Sequence, residues 1–300
     1  MQNIEAFPMN KIHIGYPKTA TTFLQREVFK ELKNHKFIGH SEFRKLGLIN
    51  LIWKADRSID YDNLKELFRS NNNNFISFED LSGPLFQGSI MIDEIPNRLF
   101  KIFGKELKVL ITIRRQEDLL RSIYIQYIHQ GGTNSLYNFL KKDSLGMNRI
   151  DLNAFNFLET YNRYKSVFGN SNIVILPYEK FKINPTEFIG DLNDFFENEN
   201  IILKKNKVVY RSMDGLQLRL LKNLNRFIQT PISEKYIIPP HIINQSKIRF
   251  WWQDSDFLRI GNFFNEEDLQ LLKTVSRRYY DSNRQLDEQL SLNLDLYKYY

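Results

Sequence analysis

Lys11-Ile12-His13-Ile14-Gly15-Tyr16-Pro17-Lys18-Thr19-Ala20-Thr21-Thr22-Phe23-Leu24-Gln25 compresses a strand, a loop and the start of a helix into one run. Ile12 and Ile14 share a face at the period of a half-buried strand. Gly15 and Pro17 break that alternation, and glycine lets a ligand approach the backbone closely. From Thr21 or Thr22 the spacing turns helical. Leu24, Val28 and Leu32 recur every four residues, an apolar stripe on a helix of about three turns. The first amides of such a helix have no intrahelical partner and carry the positive end of the macrodipole, so they attract anions. Lys18 adds a full charge there, and Thr19, Thr21 and Thr22 add hydroxyls.

The ATP-type loop G-x-x-x-x-G-K-[ST] does not fit this run. Only Tyr16 and Pro17 separate Gly15 from Lys18, too little chain to wrap a triphosphate, so a smaller anion suits it better. An ordinary strand-to-helix turn with a surface lysine has the same local pattern, and the remainder of the chain has to discriminate.

The 300 residues are 42% hydrophobic, ample for a core, and carry a net charge of +7. The isoelectric point near 9.3 favours anionic ligands, although so modest an excess also serves solubility. The absence of cysteine excludes a disulfide framework, thiolate chemistry and cysteine-based zinc sites, and fits a reducing cytoplasm. Met1-Gln2-Asn3-Ile4-Glu5 lacks the basic start of a signal peptide, and no apolar run approaches the ~20 residues of a membrane helix. No repeat or linker interrupts the chain. A single domain over 1–300 is expected, with a helical C-terminal part from about 212.

Strands and helices alternate outward from the first loop. Lys36–His40 reads as a short strand, residues 61–70 as a helix with Leu64, Leu67 and Phe68 at helical spacing, and Phe75–Phe78 as a buried strand. Asn71 to Asn74 between them reads as a loop. Glu79 and Asp80 end the Phe75–Phe78 strand ahead of the breaker Ser82-Gly83-Pro84. Residues 94–103 read as a helix entered at Pro96. Leu107–Ile113 is the strongest strand, followed at Arg114-Arg115 by a helix over 116–129 whose apolar face is Leu119, Leu120, Ile123 and Tyr127. Residues 151–169 read as one helix, Ile173–Leu176 as a strand closed by Pro177, and Asn184-Pro185 as the cap of a helix to Phe196. Beyond Asp214 the stripe Leu216, Leu220, Leu224, Phe227 marks an amphipathic helix. A loop carrying Pro231, Pro239-Pro240 and His241 follows. The aromatic cluster Arg249-Phe250-Trp251-Trp252 reads as core packing, and residues 266–280 as the last helix. Such alternation predicts an α/β fold with a parallel sheet, whose ligands gather at the carboxyl ends of the strands. Glu79 and Asp80 then share a rim with Gly15 and Lys18.

Arg114 marks a second strand-to-helix junction, with Ser122 two turns into the helix. Its planar guanidinium suits phosphate oxygens. Two basic junctions, one with lysine and threonines and one with arginine and serine, match a ligand carrying two separate anionic groups. A solvated basic pair at Arg114-Arg115 and a back-bonded Ser122 are the plainer alternatives.

In this order and separation the motifs resemble those of the sulfotransferases. Gly15-Tyr16-Pro17-Lys18-Thr19-Ala20-Thr21-Thr22 is similar to that family's 5′-phosphosulfate loop, G-x-P-K-[ST]-G-T-[ST]. Arg114, with Ser122 eight residues on and Tyr124 two beyond, is similar to its 3′-phosphate motif. Leu176-Pro177-Tyr178-Glu179-Lys180-Phe181 resembles the family's later strand and helix, and Tyr280-Asp281-Ser282-Asn283-Arg284-Gln285-Leu286 the close of bacterial members. Ala20 stands where the family has glycine, which implies a loop with no positive φ at that point or a slightly altered one. Arg115-Gln116 stands where Asn/Asp-Pro is usual, so Arg114 and Arg115 both remain candidates, with the spacing favouring Arg114. Tyr210-Arg211-Ser212, or the lysines around Asn206, take the place of the family's late basic loop.

The resemblance implies a three-layer, P-loop-like doubly wound parallel sheet flanked by helices. It also implies 3′-phosphoadenosine 5′-phosphosulfate (PAPS) as sulfuryl donor, adenosine 3′,5′-bisphosphate as product, and no metal. Gly15, Pro17, Lys18, Thr19, Ala20, Thr21, Thr22, Arg114, Ser122 and Arg211 are the implied donor-binding residues. Lys18 stabilises the leaving phosphate. Glu79 is the candidate base for the acceptor's proton, with Asp80 and His40 in reserve; an ion pair with a nearby lysine or arginine, Lys18 among them, is the structural alternative for Glu79. A hydroxyl of a glycan or glycoconjugate is the implied acceptor, bound by loops near 40–60, 82–95, 130–150 and 230–262, and no nucleic-acid partner is implied. A nucleotide-dependent kinase and a non-catalytic nucleotide-binding module are the competing functions.

Overall fold

The computed structural model describes residues 10–69, 73–85, 88–89, 91–141, 150–197, 199–203, 213, 215–232, 237–239, 251–252 and 260–300. Arg211, with Tyr210, Ser212 and the lysines around Asn206, lies outside them, as do Pro240, His241, Arg249 and Phe250. The chain groups into two compact units. One comprises residues 1–116, 150–204 and 279–300, the other 117–149 and 205–278.

The first unit contains a parallel sheet built from β1 (Lys11–His13), β2 (Lys36–Ile38), β3 (Asn74–Ser77), β4 (Lys108–Ile113) and β5 (Ile173–Pro177). The strand order is β2-β3-β1-β4-β5. The chain leaves central β1 toward one edge and returns to build the other, the doubly wound arrangement whose ligands sit beyond the strands' carboxyl ends. In register, His13 lies opposite Ser77 of β3 and Leu110 of β4. One side of the sheet is closed by apolar residues from two helical segments. Leu24, Val28, Phe29 and Leu32 pack with Phe188, Ile189, Leu192, Phe195 and Phe196 against Phe75, Leu110 and Leu176. Phe75 is the hub, edge-on to Phe29 at 4.7 Å and to Phe196 at 4.8 Å between ring centroids, a favoured aromatic geometry.

The helix after the first loop begins as α at Thr21–Phe23, widens to π over Leu24–Val28 and tightens to 3₁₀ at Phe29–Glu31. The Leu24, Val28, Leu32 stripe is buried as its spacing requires. Asn184 caps Pro185–Phe196 by accepting from the Glu187 N–H.

Four local readings need correction. Residues 151–169 form two segments, 3₁₀ at Leu152–Phe155 and α at Phe157–Phe168, because Asn156 leaves the helical conformation and caps the second with its side chain. The helix of 266–280 runs on: Glu266–Ser276, a 3₁₀ turn at Arg277–Tyr279, then Tyr280–Leu290. That last helix has few apolar residues and buries a polar one, Asn283, beside Leu286, so hydrophobic spacing does not reveal it.

In the second unit, helix Gly215–Leu224 has the expected period but a different phase. Leu220 and Phe227 are 36% and 45% exposed, while Leu218, Leu221 and Asn225 are buried. The Asn225 amide decides the phase by donating to the carbonyls of Ile128 and Gly132, at 2.8 and 3.1 Å. Trp251 is 62% exposed, so it is no core residue.

Candidate active site

The loop from Gly15 to Ala20 follows the carboxyl end of β1 and leads into the helix that opens at Thr21. Gly15 has no room for a side chain, because a Cβ there would overlap Thr112 Oγ1 and the His13 imidazole. The Tyr16 ring is buried. Its hydroxyl donates to the Ala154 carbonyl at 2.6 Å and meets Thr160 Oγ1 at 2.8 Å, anchoring the loop's first half. Pro17 is half-buried, and Lys18 and Thr22 are exposed. Thr19 is buried, and its hydroxyl donates to the Tyr16 carbonyl at 2.5 Å.

Lys18 and Ala20 both adopt left-handed backbone, with φ of 66° and 63°. The expectation of a loop without positive φ at Ala20 is therefore wrong. The turn needs the glycine-like conformation, and Ala20 adopts it against the steric preference of an L-residue.

Glu79 opens the 3₁₀ turn Glu79–Ser82 just beyond β3. Its carboxyl takes a hydrogen bond from Thr21 and feels the Lys18 charge. Burial pushes its pKa up to about 7; Asp80 adds to the rise, while Lys18 and the Thr21 hydroxyl oppose it. Asp80 is likewise raised by burial, against the pull of His40 and Arg44. His40, at the start of helix His40–Lys45, stacks on Phe78 at 5.0 Å, and burial and Arg44 lower its pKa.

Arg114 lies beside the same loop. Its Nη1 donates to the Lys18 carbonyl at 2.9 Å, and its guanidinium rests over the Tyr178 ring, 5.0 Å from the centroid. The neighbouring Arg115 gives its backbone N–H to Glu179 Oε1 at 3.1 Å, while the Tyr299 hydroxyl donates to Glu179 Oε2 at 2.7 Å. Gln116 is buried and pairs with Asn283, each amide donating to the other at 3.0 Å. Ser122 is half-buried on helix Gln116–His129 and belongs to the second unit.

The first unit thus gathers Gly15, Lys18, Thr21, Glu79 and Arg114 around one loop: two cations, a threonine hydroxyl bonded to the carboxyl, and a carboxylate able to take a proton near neutrality. A model of the sulfotransferase domain matches residues 11–235. The chain belongs to the sulfotransferase domain family. Among curated proteins, none matches this sulfotransferase in sequence.

Solved structures similar to it include a sulfotransferase from Alicyclobacillus acidocaldarius, 14% identical over 68% of this chain and 87% of that one, TM-score 0.48. A mouse sulfotransferase complexed with PAP is 12% identical over 93% of this chain and 88% of that one, TM-score 0.42. A retinol dehydratase in complex with androsterone and inactive cofactor PAP is 13% identical over 92% and 82%, TM-score 0.38.

Among the described residues, no cluster of three or more His, Asp or Glu is arranged to hold a metal ion, and no helix is long and apolar enough to cross a membrane. Sequence reading overlooked several residues around the site: His13, Ser77 and Thr112 beneath the loop, and Glu179, which holds the Arg115 backbone. Polar residues on three neighbouring strand segments, His13, Ser77 and Thr112, are the signal that marks such a cluster.

Proposed function

We propose that this sulfotransferase transfers a sulfuryl group from PAPS to a hydroxyl of a glycan or glycoconjugate in the cytoplasm. The observation that carries the reading is the convergence of Lys18, Thr21, Arg114 and Glu79 on one loop, in a chain of this family. The acceptor oxygen attacks sulfur, the bond from sulfur to the bridging phosphate oxygen breaks, and the electron pair leaves with the 5′-phosphate of adenosine 3′,5′-bisphosphate. Charge grows on that oxygen, where Lys18 and the amides at the start of the Thr21 helix stabilise it. Gly15, Pro17, Thr19, Ala20, Thr21 and Thr22 shape the cradle, and Arg114 takes the 3′-phosphate.

Glu79 accepts the acceptor's proton. A pKa of about 7 suits a base that must be ionised yet hold a proton during turnover. The position of Lys18 beside Glu79 also supports the ion-pair alternative, and the pH dependence described below separates the two roles.

Radiolabelled PAPS offered with separate panels of oligosaccharides, phenols and aliphatic alcohols tests the acceptor. Label on oligosaccharides supports the proposal, and label confined to phenols or aliphatic alcohols overturns it. Binding of adenosine 3′,5′-bisphosphate without magnesium tests the donor separately.

A further inference from the structure

Beneath the loop a chain of buried polar groups crosses three strands. Gln25 Nε2 lies 3.0 Å from Ser77 Oγ, Ser77 Oγ 2.8 Å from His13 Nδ1, and His13 Nε2 3.0 Å from Thr112 Oγ1. Thr112 Oγ1 is 2.8 Å from Thr19 Oγ1, which reaches the Tyr16 carbonyl. His13, Ser77, Thr19 and Thr112 are all buried, so no solvent proton completes the set.

Counting protons gives the chain one direction. A carbonyl only accepts, so the Thr19 proton points to Tyr16. Thr19 must then accept from Thr112, and Thr112 from His13, which puts a proton on Nε2. At the other end, Gln25 Nε2 also donates to the Ser77 carbonyl at 3.2 Å, which fixes its amide nitrogen toward Ser77. Ser77 Oγ accepts there and gives its own proton to His13 Nδ1. The Thr112 end requires a proton on Nε2, and a neutral ring with a bare Nδ1 gives the Ser77 proton its acceptor. Burial pushes the imidazole pKa down to about 3, consistent with a neutral ring.

Thr19 sits between the two left-handed residues Lys18 and Ala20. Such backbone persists only where its surroundings over-determine it. We infer that His13 is a positioning residue: through Thr112 it locks the Thr19 hydroxyl onto the Tyr16 carbonyl and so holds the Lys18–Thr21 turn in its working shape. The catalytic consequence rests on the proposed role of that turn in donor binding.

Two neutral variants separate the halves of the ring. His13→Gln places an amide N–H near the Nε2 position and keeps a donor toward Thr112. His13→Asn keeps an acceptor for Ser77 and loses the donor. Positioning through Thr112 requires that His13→Gln retain most of the wild-type kcat. His13→Asn should lose about 10²-fold at a similar melting temperature, the scale of a small misplacement of reacting groups. Equal kcat losses in the two variants overturn the inference. Should either fail to fold, Thr112→Ser against Thr112→Val gives the same contrast one link along. Nitrogen-15 NMR of the wild-type protein reads the tautomer without any turnover, and an Nδ1–H ring or an imidazolium at neutral pH also overturns it. Failure of adenosine 3′,5′-bisphosphate to bind, with the Nε2–H tautomer present, would instead count against the donor reading.

Discussion

Arg114 donates through Nη1 to the main-chain carbonyl of Lys18 at 2.9 Å. The two basic junctions that look independent along the chain are therefore physically joined. Arg114 has a second task besides any phosphate contact, because it braces the strained loop that carries Lys18.

Replacing Arg114 by alanine should therefore weaken both adenosine 3′,5′-bisphosphate and adenosine 5′-phosphate. The bisphosphate should lose more, by about 1.5–3 kcal/mol for a charge-assisted contact. Titration calorimetry with the two nucleotides separates the shares: the common loss reports bracing, the excess reports the 3′-phosphate. Identical losses would leave Arg114 with the loop alone.

Lys18→Ala should reduce turnover roughly 10²–10³-fold, the scale of a lost transition-state contact, with the fold intact because the side chain is exposed. It should also raise the Glu79 pKa further, since the lysine charge is one of the influences holding it down. Steady-state rates measured across pH and circular dichroism on the purified variant check these three claims. Near-normal turnover would remove Lys18 from the mechanism.

Glu79 carries a pH signature. Its carboxyl titrates near 7 in the folded chain and at 4.5 by default. Between those values the folded state binds more protons than the unfolded one, so this group's contribution to stability falls as pH rises through that window. Glu79→Gln should therefore gain stability over wild type as pH climbs from 4.5 toward 7, with a constant gap above. As a base, wild type should gain activity through the same upper limb, and Glu79→Gln should lose about 10²–10⁴-fold in turnover with near-normal nucleotide binding. If Glu79 only pairs with Lys18, nucleotide affinity falls as much as rate.

Ala20→Gly should stabilise the protein. Left-handed backbone costs an L-residue about 1–2 kcal/mol, and the extra freedom of an unfolded glycine returns about 0.4–1 kcal/mol of that. Differential scanning calorimetry should show a higher Tm for Ala20→Gly and a lower one for Ala20→Val, whose branched Cβ fits that φ worse. A fall in Tm for the glycine variant would contradict the strain.

The buried Gln116–Asn283 pair predicts strong coupling. Changing either residue alone to leucine leaves a buried amide unsatisfied, worth about 1–3 kcal/mol of unfolding free energy. The double variant should cost less than the sum of the two singles. Urea unfolding in a double-mutant cycle measures the difference, and simple additivity would mean that the amides act independently.

Local chemistry made much of this protein legible from its sequence. Ile12, Gly15, Pro17 and the Leu24, Val28, Leu32 stripe specify a strand, a tight turn and a helix through short-range sterics and periodicity. The alternation that follows specifies a parallel sheet, and the rule of carboxyl ends puts Glu79 on the rim of Lys18. Tertiary structure alone decided the rest. Period reveals that helix Gly215–Leu224 has an apolar face, but the phase came from the Asn225 amide meeting the carbonyls of Ile128 and Gly132. Residues far apart in the chain joined Gln116 to Asn283 and His13 to Ser77 and Thr112, and no spacing rule encodes such pairs. The shifted pKa of Glu79 arises from burial and from charges brought close only by folding. Ala20 shows the limit most directly: its side chain argued against positive φ, and the folded loop adopts one next to a Thr19 tied to Thr112 of another strand.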